Sequence, residues 1–221
     1  MSDSDLLPIF PLSNVVLFPR VKTPLHLFEP RYRQLARDVL QGERRIGMVA
    51  VRPEHLDEMP GDPPIYPVGC AGVITESHRQ PDGRYNIVLL GEQRVRIVSE
   101  EPRSESRLYR VARVVRLEDT YPETDRARVA RLRTAIAADV GMLIRRAQPD
   151  RAHAFDAELF AGVDDETFVN AVANAFAFPA DEKQALLEAE GVPERYARLA
   201  SALSFHRLEI ESAGGGRRQL H

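Results

Sequence analysis

The sequence predicts an α+β protein, in which a strand-rich unit of residues 1–119 with one helix is followed by a helical bundle of residues 120–210. In the first unit, short apolar segments alternate with turn residues, which is typical of a small twisted barrel or half-barrel. In the second unit, apolar residues recur at helical spacing. Hydrophobic residues make up 43% of the chain, enough for a core. Residues 211–221 are predicted to form a disordered tail.

The chain begins with a predicted strand region at residues 6–18 that has a turn at Ser13 and Asn14. Prolines fix φ and cannot donate to a strand ladder, so those at positions 8, 11, 19 and 24 define where this segment enters and leaves the sheet. A helix is predicted to start at Pro30, which suits a first helical turn, and to end before Gly42. Helical spacing predicts that its buried face consists of Tyr32, Leu35, Ala36, Val39 and Leu40.

Alternating and β-branched segments predict five further strands, at residues 46–51, 68–76, 85–90, 94–98 and 109–117. Turns are predicted at residues 81–83 and 91–93. After the second turn, alternation places Arg94 and Arg96 on the solvent-exposed face. Residues 52–67 contain five prolines and no periodicity, which predicts a long, mobile loop.

Capping residues define the helices of the second unit. Thr120 and Glu123 fit a capping box, and Asp164 suits the N-cap of the next helix. A short helix is predicted to end at Gly191, and Pro193 opens the last one. The predicted apolar faces comprise Val129, Leu132, Ile136, Val140, Leu143 and Ile144, then Phe168, Val169, Val172, Ala173 and Phe176, and finally Tyr196, Leu199, Ala200 and Leu203.

Overall composition argues against several classes of protein. The net charge of −3 gives no reason to expect a polyanion as the obligate partner. No apolar stretch reaches the roughly 18–20 residues that a membrane-spanning helix needs. The acidic start MSDSDLLPIF is unlike a secretory signal, so we expect a cytoplasmic protein with no membrane partner.

No catalytic, metal or cofactor site is predicted. The six histidines have no metal-ligand spacing. The single cysteine, Cys70, is expected to be a small buried residue rather than a nucleophile. Lys183 lies beside Asp181 and Glu182, so we expect a surface lysine rather than the partner of a nucleophilic serine.

An ordered series of segments carries a family resemblance: LPIFPLSNVVLFP, LHLFEPRYRQL, IGMVAV, YPVGCAGVI, GEQRVRI and DEKQALLEAEGVPERYARL. Together they resemble the N-terminal substrate-recognition (LON) domain of Lon proteases, over about residues 7–208. The resemblance implies a PUA-like β-barrel followed by a helical bundle. It also implies a role in binding exposed peptide segments or partner proteins. The sequence lacks the Gly-x-x-x-x-Gly-Lys-Ser/Thr segment of an ATPase and the protease half. The expectation is therefore a free-standing, non-enzymatic LON-domain protein.

The candidate binding site is an apolar groove near the start of the first helix. Aromatic and arginine side chains are favoured binding anchors, and free N–H groups at a helix start accept carboxylates or carbonyls. Two alternatives stay open: Phe28 and Tyr32 pack the helix against the barrel, and Arg31 is solvated. The predicted peptide-binding residues are Phe18, Pro24, Phe28, Glu29, Arg31 and Tyr32.

The alternative function is RNA binding, since PUA-like barrels in other families bind RNA. Seven arginines between residues 126 and 151 make this stretch locally basic. Acidic residues are interspersed among them, and the barrel lacks the aromatic series of a single-strand platform. We therefore expect a solvated helix face, and nucleic acid is not the expected partner. The identity of the client and the oligomeric state are left open.

Overall fold

The computed structural model describes residues 5–102, 104, 106–147 and 162–215. Side chains are described up to Arg146 in the range 106–147 and up to Leu208 in the range 162–215. Over these residues the protein is α+β, as predicted, with six strands in one mixed sheet and five α-helices. The strands are β1 (Asp5–Leu12), β2 (Lys22–Leu27), β3 (Arg45–Ala50), β4 (Val68–Arg79), β5 (Tyr85–Glu100) and β6 (Arg110–Arg116). The helices are α1 (Pro30–Val39), α2 (Arg126–Ala147), α3 (Asp165–Ala175), α4 (Ala180–Leu187) and α5 (Val192–Gly215).

The sheet has the strand order β2-β5-β4-β3-β1-β6, and β6 also pairs with β5. Five strands therefore form a closed cycle of pairings, and β2 is attached to β5 at an edge. Strands β1 and β3 are parallel, and the other pairs are antiparallel. Side chains from β1, β3, β4, β5 and β6 pack into one cluster, formed by Leu7, Ile9, Val49, Ala71, Val95, Ala112 and Val114.

Helix α1 confirms its prediction, since it starts at Pro30 and buries four of the five predicted residues. The predicted strand at residues 6–18 is partly wrong, because β1 ends at Leu12. The apolar residues after it leave the sheet, yet Phe18 is fully buried. Residues 52–67 were predicted to be a loop because they lack periodicity, and they contain one short 3-10 helix, Pro53–Glu58.

Strand β5 is one continuous strand, so the predicted turn at residues 91–93 is wrong. Gly72 pairs with Gly91 and Ala71 with Gln93, which makes Glu92 the extra residue of a β-bulge. After the bulge, Val95 is buried and Arg96 is exposed, which is the alternation that the sequence predicts. Arg94, also predicted to be exposed, is 2% exposed because it lies against the end of α4, where Leu187 O accepts a hydrogen bond from its side chain.

By compactness the chain divides into two units, residues 1–118 with 170–188 and residues 119–169 with 189–221. Residues 170–188 thus group with the strands, and their polar side chains donate hydrogen bonds to backbone carbonyls of residues 1–118. Asn170 Nδ2 donates to Pro19 O at 3.1 Å, and Gln184 Nε2 donates to Val68 O at 2.9 Å.

Arg94 makes the third link within the first unit. Its Nη1 donates to Leu187 O at 2.9 Å, at the end of α4, and its Nη2 donates to Glu118 O at 3.2 Å. Lys183 is half-buried and donates to Asn174 O at 2.9 Å, so the expectation of a simple surface lysine is wrong. Burial lowers the pKa of its ammonium group.

In the second unit, Asp165 at the start of α3 collects several bonds. Tyr121 Oη donates to its carboxylate at 2.6 Å, and Arg133 Nη1 donates at 2.7 Å. Arg133 also lies 4.5 Å from the ring centroid of Phe168, so it belongs to the helix packing rather than to a solvated face. Asp164 caps α3 as predicted, with Thr167 N–H donating to its Oδ1 at 2.9 Å.

The capping box predicted at Thr120 does not form. A 3-10 turn, Glu123–Asp125, precedes α2, and the Thr120 hydroxyl instead donates to Glu190 O at 3.5 Å. The predicted division at residues 119 and 210 stays a prediction. Helix α5 continues to Gly215, past the predicted start of the tail at residue 211. The rest of the tail and residues 148–151 of the predicted basic stretch lie outside the described residues.

Candidate functional site

Strand β2 is an edge strand, because β5 is its one pairing partner in the described part of the chain. The hydrogen-bonding phase of this pair follows from Gly91, whose N–H donates to Val21 O at 2.9 Å. In an antiparallel ladder, hydrogen-bonded residues alternate with residues whose backbone groups point away from the partner. The register therefore assigns the bonds to β5 to Thr23, Leu25 and Leu27.

The remaining β2 residues, Lys22, Pro24 and His26, direct their backbone groups to the open edge. Proline lacks an N–H and is confined to edges or non-bonded positions, so Pro24 fits this phase. The open edge consequently offers the N–H groups of Lys22 and His26 and three carbonyls. A row of this kind is able to pair with an added strand.

Beside this edge, the face of β2, β5 and β4 carries a groove of about 480 Å³. The strand register places His26, Asn86 and His78 in one row across the three strands. His26 Nδ1 donates to Asn86 Oδ1 at 2.6 Å, which orients the imidazole within the groove. The groove is lined by Pro24, Leu25, His26, Glu76, Ser77, His78, Asn86, Ile87 and Val88.

Phe28 follows β2 and lies beside His26, one of the residues that line this groove. Its ring stacks on His26, with centroids 5.9 Å apart and planes at 25°. The side chain is 58% exposed. A large aromatic side chain that is preorganised by stacking and left mostly in water is available to pack against a ligand. The alternative that Phe28 packs α1 against the sheet does not describe this position.

Arg31 is committed to holding the proline-rich loop. Its Nη1 donates to Gly61 O at 2.9 Å and its Nη2 to Met59 O at 2.7 Å. Its Nε donates to Glu29 Oε2 at 2.9 Å, and the guanidinium stacks 4.6 Å from the Tyr32 centroid. Glu29 and Arg31 therefore hold the proline-rich loop and are not two free anchors.

Phe18 and Tyr32 are core residues. Phe18 is 0% exposed, and Tyr32 is 4% exposed with its ring edge-to-face against Phe10 at 4.4 Å. Burial raises the pKa of the Tyr32 hydroxyl. Of the six predicted residues, Pro24 thus lines the groove, Phe28 is exposed beside His26, Glu29 and Arg31 engage the proline-rich loop, and Phe18 and Tyr32 are buried in the core.

Several groove residues were not predicted. His26, Glu76, His78 and Asn86 come from three strands, and their proximity depends on the register of β5 between β2 and β4. The alternation of polar and apolar residues in β2 and β5 was the available signal for an exposed face. Alternation does not specify which strands are neighbours, so it could not bring these side chains together.

No helix in the described ranges is both long and apolar enough to cross a membrane.

Comparison with known proteins gives a consistent family. Residues 6–204 match the family model of the ATP-dependent protease La (LON) substrate-binding domain. The chain is 30% identical over 195 residues to a Lon protease of Flavobacterium johnsoniae, which covers 86% of this chain and 22% of that protein. It is 30% identical over 202 residues to Lon protease 2 of Herpetosiphon aurantiacus, covering 90% of this chain and 23% of that protein.

Two solved structures share the fold. The Lon N-terminal domain protein from Xanthomonas campestris aligns with a TM-score of 0.57 at 22% identity, over 90% of this chain and 98% of that one. The N-terminal domain of the Mycobacterium avium complex Lon protease aligns with a TM-score of 0.62 at 18% identity, over 91% of this chain and 100% of that one. The family match spans most of the chain and agrees with the fold. The chain therefore belongs to the family of LON substrate-binding domains.

Proposed function

We propose that this protein binds extended, apolar segments of other proteins by adding them as a strand to the open edge of β2. Family membership supports recognition of protein substrates in general. The observation that carries the specific proposal is the unpaired edge at Lys22, Pro24 and His26 beside the groove and Phe28. Main-chain hydrogen bonds would give affinity for any extended segment, and the groove would select apolar side chains.

In this proposal the protein acts by binding and catalyses no reaction. The residues of the groove offer hydrogen-bonding groups, at His26, Ser77 and Asn86, and apolar surface, at Val88, and the exposed ring of Phe28 lies beside His26. We also propose that five of the strands form a PUA-like barrel, which their closed cycle of pairings supports. The helices after residue 120 form the helical bundle in this proposal. We also propose a cytoplasmic location, where unfolded segments of other proteins are its clients. No finding favours RNA binding as a second function.

The experiment compares two variants that each remove one exposed apolar side chain. Phe28 is 58% exposed and Val98 is 59% exposed, so F28S and V98S each replace an apolar side chain that lies more than half in solvent. Binding of a permanently unfolded, fluorescein-labelled reporter protein is measured by anisotropy for the wild type and both variants. Loss of an aromatic anchor is expected to weaken binding roughly tenfold in F28S.

The V98S variant is expected to bind the reporter as the wild type does, because Val98 lies in the part of β5 that pairs with β6 and not with β2. Equal affinity of all three proteins for the reporter, or no binding by any of them, would remove the basis of the proposal. Circular dichroism of each variant shows whether the fold is kept.

A further inference from the structure

A second cavity, of about 340 Å³, lies among α1, the turn between β4 and β5, and the segment before β6. Its size falls in the range of small-ligand sites, about 300–1,000 Å³. Three of its lining side chains are arginines and none is acidic, although acidic residues outnumber basic ones in the chain by 33 to 30. The walls of this arginine cavity include Arg33, Gln34, Arg37, Arg79, Tyr85 and Leu108.

The strand register places the arginine cavity on the face of the sheet opposite the groove. Arg79 of β4 pairs with Tyr85 of β5, and residues paired in register project to the same face. The neighbouring pair, His78 and Asn86, lines the groove and projects to the other face. The arginine cavity is therefore a separate site, and a ligand bound there is independent of a segment added to β2.

Tyr85 gives the arginine cavity a hydroxyl that the fold does not use. The residue is 8% exposed, and a tyrosine as buried as this usually donates its hydroxyl to a partner. The Tyr85 hydroxyl has no hydrogen-bond partner among the residues that the structure describes. Because Tyr85 lines the cavity, a ligand bound there is able to accept this hydrogen bond.

The three guanidinium groups also keep donors for a ligand. Arg33 Nε donates to Gly83 O at 3.0 Å, and Arg37 Nε pairs with Asp38 at 3.1 Å. Arg79 is exposed and has no side-chain hydrogen bond or ion pair with the residues that the structure describes. Within that part of the chain, the terminal nitrogens Nη1 and Nη2 of all three arginines are therefore available.

The walls of the arginine cavity are fixed in place by backbone contacts. Gly83 has a φ of +85°, and a Cβ at this position would collide with Arg33 Nη2, so a glycine is needed for the guanidinium to lie here. Gln34 Nε2 donates to Ser106 O at 2.6 Å, and Leu108 N–H donates to Gln34 Oε1 at 2.7 Å. The cavity thus combines an oriented guanidinium with an apolar rim at Leu108, which is 47% exposed.

The carboxylates that adjoin these residues in the sequence are already engaged. Asp38 pairs with Arg37 and also receives a hydrogen bond from Tyr109. Asp82 accepts hydrogen bonds from the side chain of Arg84 at 2.7 Å and from its backbone N–H at 3.0 Å. The arginine cavity is therefore left with an excess of positive charge, which favours an anion.

We propose that the arginine cavity binds the phosphate group of a phosphate monoester, held by Arg33, Arg37 and Arg79, with Tyr85 donating one further hydrogen bond. A nearly doubly charged phosphate with three acceptor oxygens suits several guanidinium groups better than a singly charged carboxylate does. The carbon part of the ester would lie against the rim at Leu108. This site goes beyond the proposed function, and neither depends on the other. The phosphate belongs to a small molecule or to a phosphorylated side chain, and the test distinguishes these two sources.

The test titrates the full chain with glycerol phosphate and with short alanine-rich peptides that carry a central phosphoserine, aspartate or serine, followed by two-dimensional NMR. Glycerol phosphate and the phosphoserine peptide are expected to bind roughly tenfold more tightly than the aspartate peptide. Tighter binding of the phosphoserine peptide than of glycerol phosphate would support a phosphorylated side chain as the source, and the reverse order would support a small molecule. Equal binding of the phosphoserine and aspartate peptides, or no binding of either phosphate probe, overturns the inference and leaves the proposed function intact.

Two variants test the assigned residues. R79Q removes an exposed guanidinium and is expected to weaken binding of the tighter phosphate probe roughly tenfold. Y85F keeps the buried ring and removes only the hydroxyl, so it is expected to weaken that binding roughly threefold to tenfold. Circular dichroism shows whether each variant keeps the fold.

The control is R96Q, which removes the same charge from an exposed arginine outside the cavity and is expected to bind the phosphate probe as the wild type does. Equal weakening by R79Q and R96Q would show a general effect of charge and overturn the inference. Unchanged phosphate affinity in R79Q or in Y85F would overturn it as well.

Discussion

Two regions of the first unit treat backbone polar groups in opposite ways. Where residues 170–188 lie against the strands, the carbonyls of Pro19, Val68 and Leu187 each accept a hydrogen bond from a buried side chain. At the edge of β2, the outward groups of residues 22–26 have no such partner in the described part of the chain. Buried backbone groups must be paired, whereas exposed edge groups remain available. The difference separates the part of the unit that maintains the fold from the part that is open to a partner.

The largest effect is expected from Arg94, which donates to two carbonyls while 2% exposed. The variant R94M removes both bonds and leaves the acceptors buried. We expect the free energy of unfolding to fall by about 2–4 kcal/mol. Urea denaturation measures this value.

The control is R96M, two residues along the same strand. Arg96 is exposed, so its substitution is expected to change the free energy of unfolding by at most about 0.5 kcal/mol. Similar losses in R94M and R96M would show that burial of Arg94 does not hold α4 in place.

A smaller loss is expected from Gln184, which is 1% exposed and donates to Val68 O. The variant Q184M has a similar volume and leaves that carbonyl without its donor. We expect the free energy of unfolding to fall by about 1–2 kcal/mol, less than in R94M because the lost group is neutral. A loss larger than that of R94M would reverse the proposed ranking of the two links.

In the second unit, the Tyr121–Asp165 bond makes helix attachment depend on pH. Burial raises the pKa of Asp165, but hydrogen bonds from Tyr121 and Arg133 outweigh it and hold the pKa below its usual value. Burial, and then the bond to Asp165, raises the pKa of Tyr121 to about 12. The contribution of Asp165 to stability is therefore present above pH of about 4 and is lost as the pH falls.

The contribution of Tyr121 has the opposite sign. It is present below pH of about 10, the ordinary tyrosine pKa, and is lost as the pH rises toward about 12. The variant Y121F is therefore expected to show smaller losses of stability at both the acid and the alkaline end. Urea midpoints measured across this pH range give the comparison, and an unchanged profile in Y121F would contradict it.

The smallest effect on stability is expected at Phe28, beside the open edge of β2. Phe28 is 58% exposed, and the free energy of unfolding of F28S is expected to stay within about 0.5 kcal/mol of the wild type. The same variant is the one expected to lose binding of the unfolded reporter. A loss of several kcal/mol in F28S would make Phe28 a structural residue and weaken the distinction between the two regions.

Local signals in the sequence were enough to predict helix α1 and the N-cap at Asp164, because both depend on residues close in the chain. The same kind of signal failed at Arg94. Its burial follows from contact with the end of α4, since its guanidinium donates to Leu187 O, 93 residues away in the chain. Nothing within residues 91–98 reports that contact.

The candidate site shows the same limit. Phe28 was predicted from its neighbours as a binding residue, with packing of α1 as the alternative, and in the structure it is 58% exposed and stacks on His26. The support role of Arg31 was not predictable, because its acceptors at Met59 and Gly61 lie 28 and 30 residues away in a proline-rich loop. The cavity lined by Arg33 and Arg37 of α1 and Arg79 of β4 likewise needs distant segments to meet. Long-range pairing, rather than residue type, decides such sites.

Hydrogen exchange of the β2 amides tests the central proposal most directly. In the free protein, the amides of Lys22 and His26 are expected to exchange rapidly, and those of Leu25 and Leu27, bonded to β5, slowly. Binding of a short peptide with alternating apolar residues is expected to slow exchange at Lys22 and His26 and to change exchange at Leu25 and Leu27 little. A peptide that binds without slowing exchange at Lys22 and His26 would contradict strand addition at β2.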